Sequence, residues 1–178
     1  MPVRFVPRSF SYRQRTSDID REQRTLAVLV GAKALIERGW MQGGWYVLEA
    51  SDGSRRLVGA GSLIRRSYGT VVQACLVGAV AEAATRHSPE PAFAGPALDA
   101  LWAALLTVEG GQLDPDRRVP SPEARGVEVR ELTRWNDHPD RTREDVLKLL
   151  DVTIGRVIAA RSIRASDEAL VGALAAAP

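Results

Sequence analysis

The chain has 178 residues, 45% of them apolar, and a formal net charge of +2, long enough for one ordinary hydrophobic core and short of two full-sized domains. Its single cysteine, Cys75, excludes an internal disulfide and fits a reducing cytoplasm. The first residues are basic but lead into no apolar signal region, and the longest apolar run, Leu26 to Ile36, is interrupted by Lys33, so neither export nor a membrane partner is expected.

The charge is uneven. Met1 to Thr25 carries Arg4, Arg8, Arg13, Arg15, Arg21 and Arg24 against Asp18, Asp20 and Glu22, with Phe5, Phe10 and Tyr12 interleaved. A basic arm over residues 1–16 follows, able to neutralise phosphates through Arg4, Arg8, Arg13 and Arg15, or to dock back on its own domain. Ser17 and the acids after it predict a helix from about Asp18 to Arg38, with Gly39 as a left-handed stop. Gly39 to Ser67 changes character: Trp45-Tyr46-Val47-Leu48, the turn signal Ser51-Asp52-Gly53-Ser54 and Leu57-Val58 suit a small β-hairpin.

The small-residue run around Cys75, Gly78, Ala79, Ala83 and Ala84 predicts a helix over roughly Thr70 to His87. A further helix opens at Gly95-Pro96, carries Leu98, Leu101, Trp102 and Leu105 at helical spacing, and stops at Gly110-Gly111. From Gly110 to Gly126 the prolines predict an irregular loop, followed by a short helix over Glu128 to Trp135. The turn Trp135 to Asp140 leads into a capping box, Thr142-Arg143-Glu144-Asp145, and an apolar periodicity through Val157. Ser166-Asp167-Glu168 starts a separate short terminal helix. The expected fold class is mainly α: a basic arm (1–16), a helical domain (17–161) with room for a β-hairpin, and a short C-terminal helix (162–178).

The densest polar segment is Trp135-Asn136-Asp137-His138-Pro139-Asp140-Arg141-Thr142. Turn and cap chemistry explains these residue types, with Trp135 plugging a helix joint. The functional counterpart is a binding pocket of Trp135, Asn136, Asp137 and Arg141. Cys75 as a nucleophile would need a lowered pKa and a base, and His138 with Asp137 or Asn136 is the available partner; beyond the first turn of its expected helix, Cys75 would feel little of the dipole. His87 stands 12 residues on, about 18 Å away on one helix, and cannot serve. No metal-ligand spacing is present, and Gly59-Ala60-Gly61 has Ile64 where a dinucleotide fingerprint needs its third glycine, so no metal and no cofactor is expected.

The segment Ala74-Cys75-Leu76-Val77-Gly78-Ala79-Val80, followed by Trp135-Asn136-Asp137, Arg141-Thr142 and Asp145-Val146, resembles an uncharacterised actinobacterial and actinophage family. The segment Glu37-Arg38-Gly39-Trp40-Met41-Gln42-Gly43 is similar too, and the resemblance covers about Leu26 to Val152. This chain departs from it at Ala74, where a tryptophan is expected, and at His138, where a small residue is expected. The resemblance implies an origin and no activity. The sequence therefore points to a non-catalytic interaction or accessory protein whose partner is a protein or a second copy. The alternatives are a small thiol-dependent hydrolase or transferase using Cys75 and His138, and weak nucleic-acid binding through the arm.

Overall fold

The computed structural model describes residues 9–59, 69–87, 94–112 and 119–176. Its elements run α1 (Ser9–Arg38), β1 (Tyr46–Glu49), β2 (Arg55–Val58), β3 (Thr70–Ala74), α2 (Leu76–His87), α3 (Gly95–Val108), α4 (Pro122–Asn136) and α5 (Arg143–Ala176). The class is mainly α with a small antiparallel sheet of order β2-β1-β3, as the composition and periodicities suggest.

Several boundaries differ from expectation. α1 begins at Ser9, so its first turns take in residues assigned to the arm. Of the expected phosphate-binding arginines, Arg4 and Arg8 lie outside the described residues, and Arg13 and Arg15 are described in backbone only. Residues 113–118 of the expected loop also lie outside them. The rest of that loop is shortened because α4 starts at Pro122: Ser121 caps it, accepting the Ala124 N–H at 3.2 Å, and proline fits the first turn. At the other end of the chain there is no separate terminal helix, since α5 continues unbroken to Ala176. Ser166 and Asp167 lie within it, with no glycine or proline after Gly155 until Gly172 to break the ladder before them.

The largest departure is at Thr70 to Ala74, expected as the first turn of a helix. These residues form β3, paired antiparallel with β1 from Thr70 opposite Glu49 to Ala74 opposite Tyr46. Thr70, Val71 and Val72 are β-branched and fit a pleated surface, and a strand partner already aligned by the β1–β2 hairpin overrides the local helical preference. That hairpin forms where its turn signal places it. Gly53 has φ +81°, and the Asp52 carboxylate accepts the Ser54 N–H at 2.9 Å.

The core lies between α1, α2, α3 and α5. Val28, Leu29, Ala32, Leu35 and Ile36 of α1 are buried together with Val77, Ala79, Val80, Ala83 and Ala84 of α2, Leu101 and Leu105 of α3, and Val146, Leu149 and Leu150 of α5. Each fully buried leucine or valine contributes about 1.5–3 kcal/mol. Small residues set the α1–α2 distance: a methyl on Gly31 would lie 3.2 Å from the Ala83 Cβ. α3 and α4 are clamped by Arg125, whose Nε and a terminal nitrogen donate to the two Asp99 carboxylate oxygens at 2.8 Å each. α1 and α5 run antiparallel, since Lys33 pairs with Asp151 at 2.6 Å and Glu22 with Arg164 at 2.7 Å.

Candidate functional site

The end of α1 and the start of α2 meet the end of α4 in one joint. α1 stops at Arg38, as expected, but Gly39 does not take the left-handed conformation. It is there because the chain passes close to β3: a methyl on Gly39 would lie 2.4 Å from the Val72 carbonyl oxygen. The following residues run beside β3, with the Ala74 N–H bonded to the Gly39 carbonyl at 2.9 Å and the Met41 N–H to the Ala74 carbonyl at 3.2 Å.

Asn136, the last residue of α4, is fully buried against this segment. Its Oδ1 accepts the Trp40 indole N–H at 2.9 Å and the Leu76 backbone N–H at 3.1 Å. Its Nδ2 donates to the Met41 carbonyl at 3.2 Å and to the Asp137 carboxylate at 2.8 Å. An amide side chain has two acceptor and two donor positions, so Asn136 is saturated and has nothing left for a ligand. Asp137 takes the Gly43 N–H at 3.1 Å, and the Gln42 amide donates to the carbonyls of Asn136 and His138 at 2.9 and 2.8 Å. Trp40, not Trp135, is the tryptophan bonded into this joint.

Cys75 sits at the residue before α2, the cap position, because the helix starts at Leu76 and not near Thr70. The expectation that the helix dipole has faded there is corrected by this later start. Its Sγ accepts the Gly78 N–H at 3.3 Å. Even so the thiol is not activated: burial pushes it up to about 11, and the Asp137 charge acts in the same direction, outweighing the backbone N–H groups that lower it. Cys75 is fully enclosed, whereas the His138 ring is over half exposed and its Nδ1 takes the Asp140 N–H at 3.3 Å. No hydrogen bond joins the two, and His87 is at the far end of α2.

Trp135 and Arg141 belong to a different feature. They line an open groove of about 630 Å³ between the C-terminal ends of α3 and α4, with Trp102, Leu105, Leu106 and Glu109 on one side and Glu131, Arg134 and His138 on the other. The Trp135 indole N–H donates to Glu109 at 3.0 Å, the Arg141 guanidinium lies 4.0 Å from the ring centroid, and Arg141 Nε donates to the Trp135 carbonyl at 3.3 Å. The Trp135 ring is thus held at its edge by Glu109 and covered on one face by Arg141. Trp102 and Glu109 were not legible as part of this groove in the sequence, because a half-buried tryptophan at helical spacing looks like core. The joint roles of Trp40 and Gln42 were equally hidden, since their one local signal is their place in the Gly39-to-Gly43 segment.

Of the four residues expected to bind together, then, Trp135 and Arg141 face the groove, while Asn136 and Asp137 bond into the joint. Among the described residues no three histidine, cysteine, aspartate or glutamate side chains gather as a metal site, and no helix is long and apolar enough to cross a membrane.

Fold and site together define a class: a mainly helical protein with a three-stranded antiparallel sheet whose unusual polar residues converge on one buried asparagine. The chain belongs to the family of unknown function DUF6197, whose profile matches residues 20–156. That span includes all of the joint and the groove and ends within α5. No curated protein and no solved structure matches the chain.

Proposed function

We propose that this chain is a non-catalytic interaction protein that takes an apolar or aromatic side chain of a protein partner into the groove between Trp102 and Trp135. The observation that carries the reading is the fixed Trp135 ring, held by Glu109 and Arg141 in a groove with apolar walls. Anchoring pockets at protein interfaces favour tryptophan and arginine, and a side chain already ordered loses little entropy on binding. The salt-linked rim of Glu109, Glu131, Arg134 and Arg141 supplies polar groups of both signs for orientation. The setting we infer is the reducing cytoplasm of an actinobacterial or phage-infected cell, supported by the buried lone cysteine and by a basic composition that uses arginine almost throughout.

The test is selection of peptides from a random library on the folded chain, followed by titration monitored at the tryptophan indole N–H resonances. The expected result is peptides with an aromatic or leucine anchor that shift Trp102 and Trp135 and leave Trp45 in place, with affinity reduced about tenfold or more by Trp102→Ala. Selected peptides that shift other positions, or no peptides at all, would overturn the reading.

A further inference from the structure

We propose that the outer face of α5 is a dimerisation surface, on which a second copy of this chain lies antiparallel along the row Leu147, Asp151, Ile154, Ile158, Arg161 and Ala165. These residues follow one another at steps of four, three, four, three and four, the spacing of a seam that faces a partner helix. α3 packs on the other side of α5, where Arg156 donates to Thr107 at 2.8 Å. α1 lies to one flank, with Lys33 reaching Asp151 at 2.6 Å. The row itself is left open. Leu147 and Ile154 are half-buried, Asp151, Arg161 and Ala165 are exposed, and Ile158 is 47% exposed. Beside it stands Val30 of α1, 52% exposed and level with Ile154 and Ile158 in the register that the Lys33–Asp151 and Glu22–Arg164 pairs set.

The row is complementary to itself. A two-fold axis at the level of Arg156 brings Ile154 against the second copy's Ile158, Asp151 against its Arg161 and Leu147 against its Ala165, and each contact occurs twice. Isoleucines meet at the centre, opposite charges meet on either side of them, and the large side chain at each end meets a small one. Lys33 answers two carboxylates, Asp151 at 2.6 Å and Glu37 at 3.8 Å, which leaves surplus negative charge at that end of the row. Arg161, at the other end, is in no ion pair among the described residues. A parallel pairing would set Asp151 against Asp151 and Arg161 against Arg161, so charge selects the antiparallel one. From Leu147 to Ala165 the row is about 27 Å long, and with α1 beside it the face is about 20 Å wide, on the order of 500 Å² on each copy. That is the size of a small, reversible interface. Because α3 is on the opposite side of α5, the contact leaves the Trp102–Trp135 groove of each copy open, and the dimer carries two of them.

The experiment is sedimentation velocity of the full chain between about 1 and 500 μM. Expected is a reversible monomer–dimer equilibrium with its midpoint in the micromolar range. Ile158→Glu should leave the chain monomeric throughout. Arg161→Glu and Asp151→Arg should each weaken the dimer about tenfold or more, because each sets like charges against one another at two places. Mixed one to one, these two charge variants should associate with each other about as well as the unaltered chain does with itself, since each supplies the charge the other lacks. A loss arising within a single chain would not be restored by mixing. Circular dichroism should show the fold intact in every variant, and Arg130→Glu, an exposed position on α4, should leave the equilibrium unchanged. A chain that stays monomeric up to about 500 μM, a dimer indifferent to Ile158→Glu, or charge variants that fail to pair on mixing would each overturn the proposal.

Discussion

Asn136 Oδ1 accepts the backbone N–H of Leu76 across 60 residues of chain, so the side chain that ends α4 caps the start of α2. The first N–H groups of a helix lack partners within it, and Cys75, at the cap position, takes the Gly78 N–H through sulfur. Asn136 supplies one of the missing acceptors from another element. Because the same amide holds Trp40 and Met41, one residue ties together the exit of α1, the entry of α2 and the end of α4.

Asn136→Ala should therefore destabilise the fold by about 3 kcal/mol or more, since it strands the Trp40 indole N–H, the Leu76 N–H and the Met41 carbonyl in a buried place. Asp137→Ala, which loses the bonds from the Gly43 N–H and the Asn136 amide, should cost less, about 0.5–2 kcal/mol. Urea unfolding measures both. Unchanged or raised stability in the two variants would show that the joint does not hold the fold and would return this turn to the list of ligand sites.

The Cys75 thiol is pushed up to about 11 from an ordinary value of 9.0 by burial. In the unfolded chain the thiol ionises first, so the unfolded state carries fewer protons in the interval between the two values and is favoured as pH rises. The contribution is fully present below the ordinary value and is lost on passing through 11, a change of roughly 3 kcal/mol. The stability difference between the native sequence and Cys75→Ala should shrink accordingly between neutral and strongly alkaline pH. A difference that stays flat, or rapid alkylation of native Cys75 by iodoacetamide near neutral pH, would contradict a buried, unactivated thiol.

Two helical glycines should respond in opposite directions. A methyl on Gly78 would lie 2.3 Å from the Trp45 carbonyl oxygen, and that backbone is fixed by its own bond to the Cys75 N–H at 3.1 Å. Gly78→Ala should cost about 1–3 kcal/mol or more. Gly155 is exposed on α5 with nothing within 4 Å of such a methyl, and Gly155→Ala should stabilise by about 0.5–1 kcal/mol. Thermal unfolding of the two variants separates a packing glycine from a merely permissive one.

The clamp between α3 and α4 depends on geometry as well as charge. Arg125 bonds both Asp99 oxygens from a partly buried position. Arg125→Lys keeps the charge but cannot make two parallel bonds, and should lower stability by about 1–2 kcal/mol. Equal stability of the lysine variant would mean that charge alone holds the two helices.

Local signals were legible because their partners are close in sequence. The Thr142 to Asp145 capping box forms as expected, with the Asp145 carboxylate taking the Thr142 N–H at 3.0 Å and Thr142 Oγ1 taking the Asp145 N–H at 3.2 Å. The Ser51 to Ser54 turn and the Leu98, Leu101 and Leu105 stripe likewise appear where short-range spacing puts them. The polar turn after Trp135 was also visible as unusual, but not its division between a joint and a groove.

What the sequence determined by itself was the helical class, the hairpin and where α1 to α4 end, all set by turn chemistry, capping and periodicity over a few residues. Only the tertiary structure decided that Thr70 to Ala74 is a strand, because β1 was there to pair with it. It also decided that Asn136 is saturated by Trp40, Met41 and Leu76, and that Arg21 stands beside Arg164. In each case the deciding partner lies dozens of residues away, and such a bond forms only once hydrophobic burial has brought the elements together.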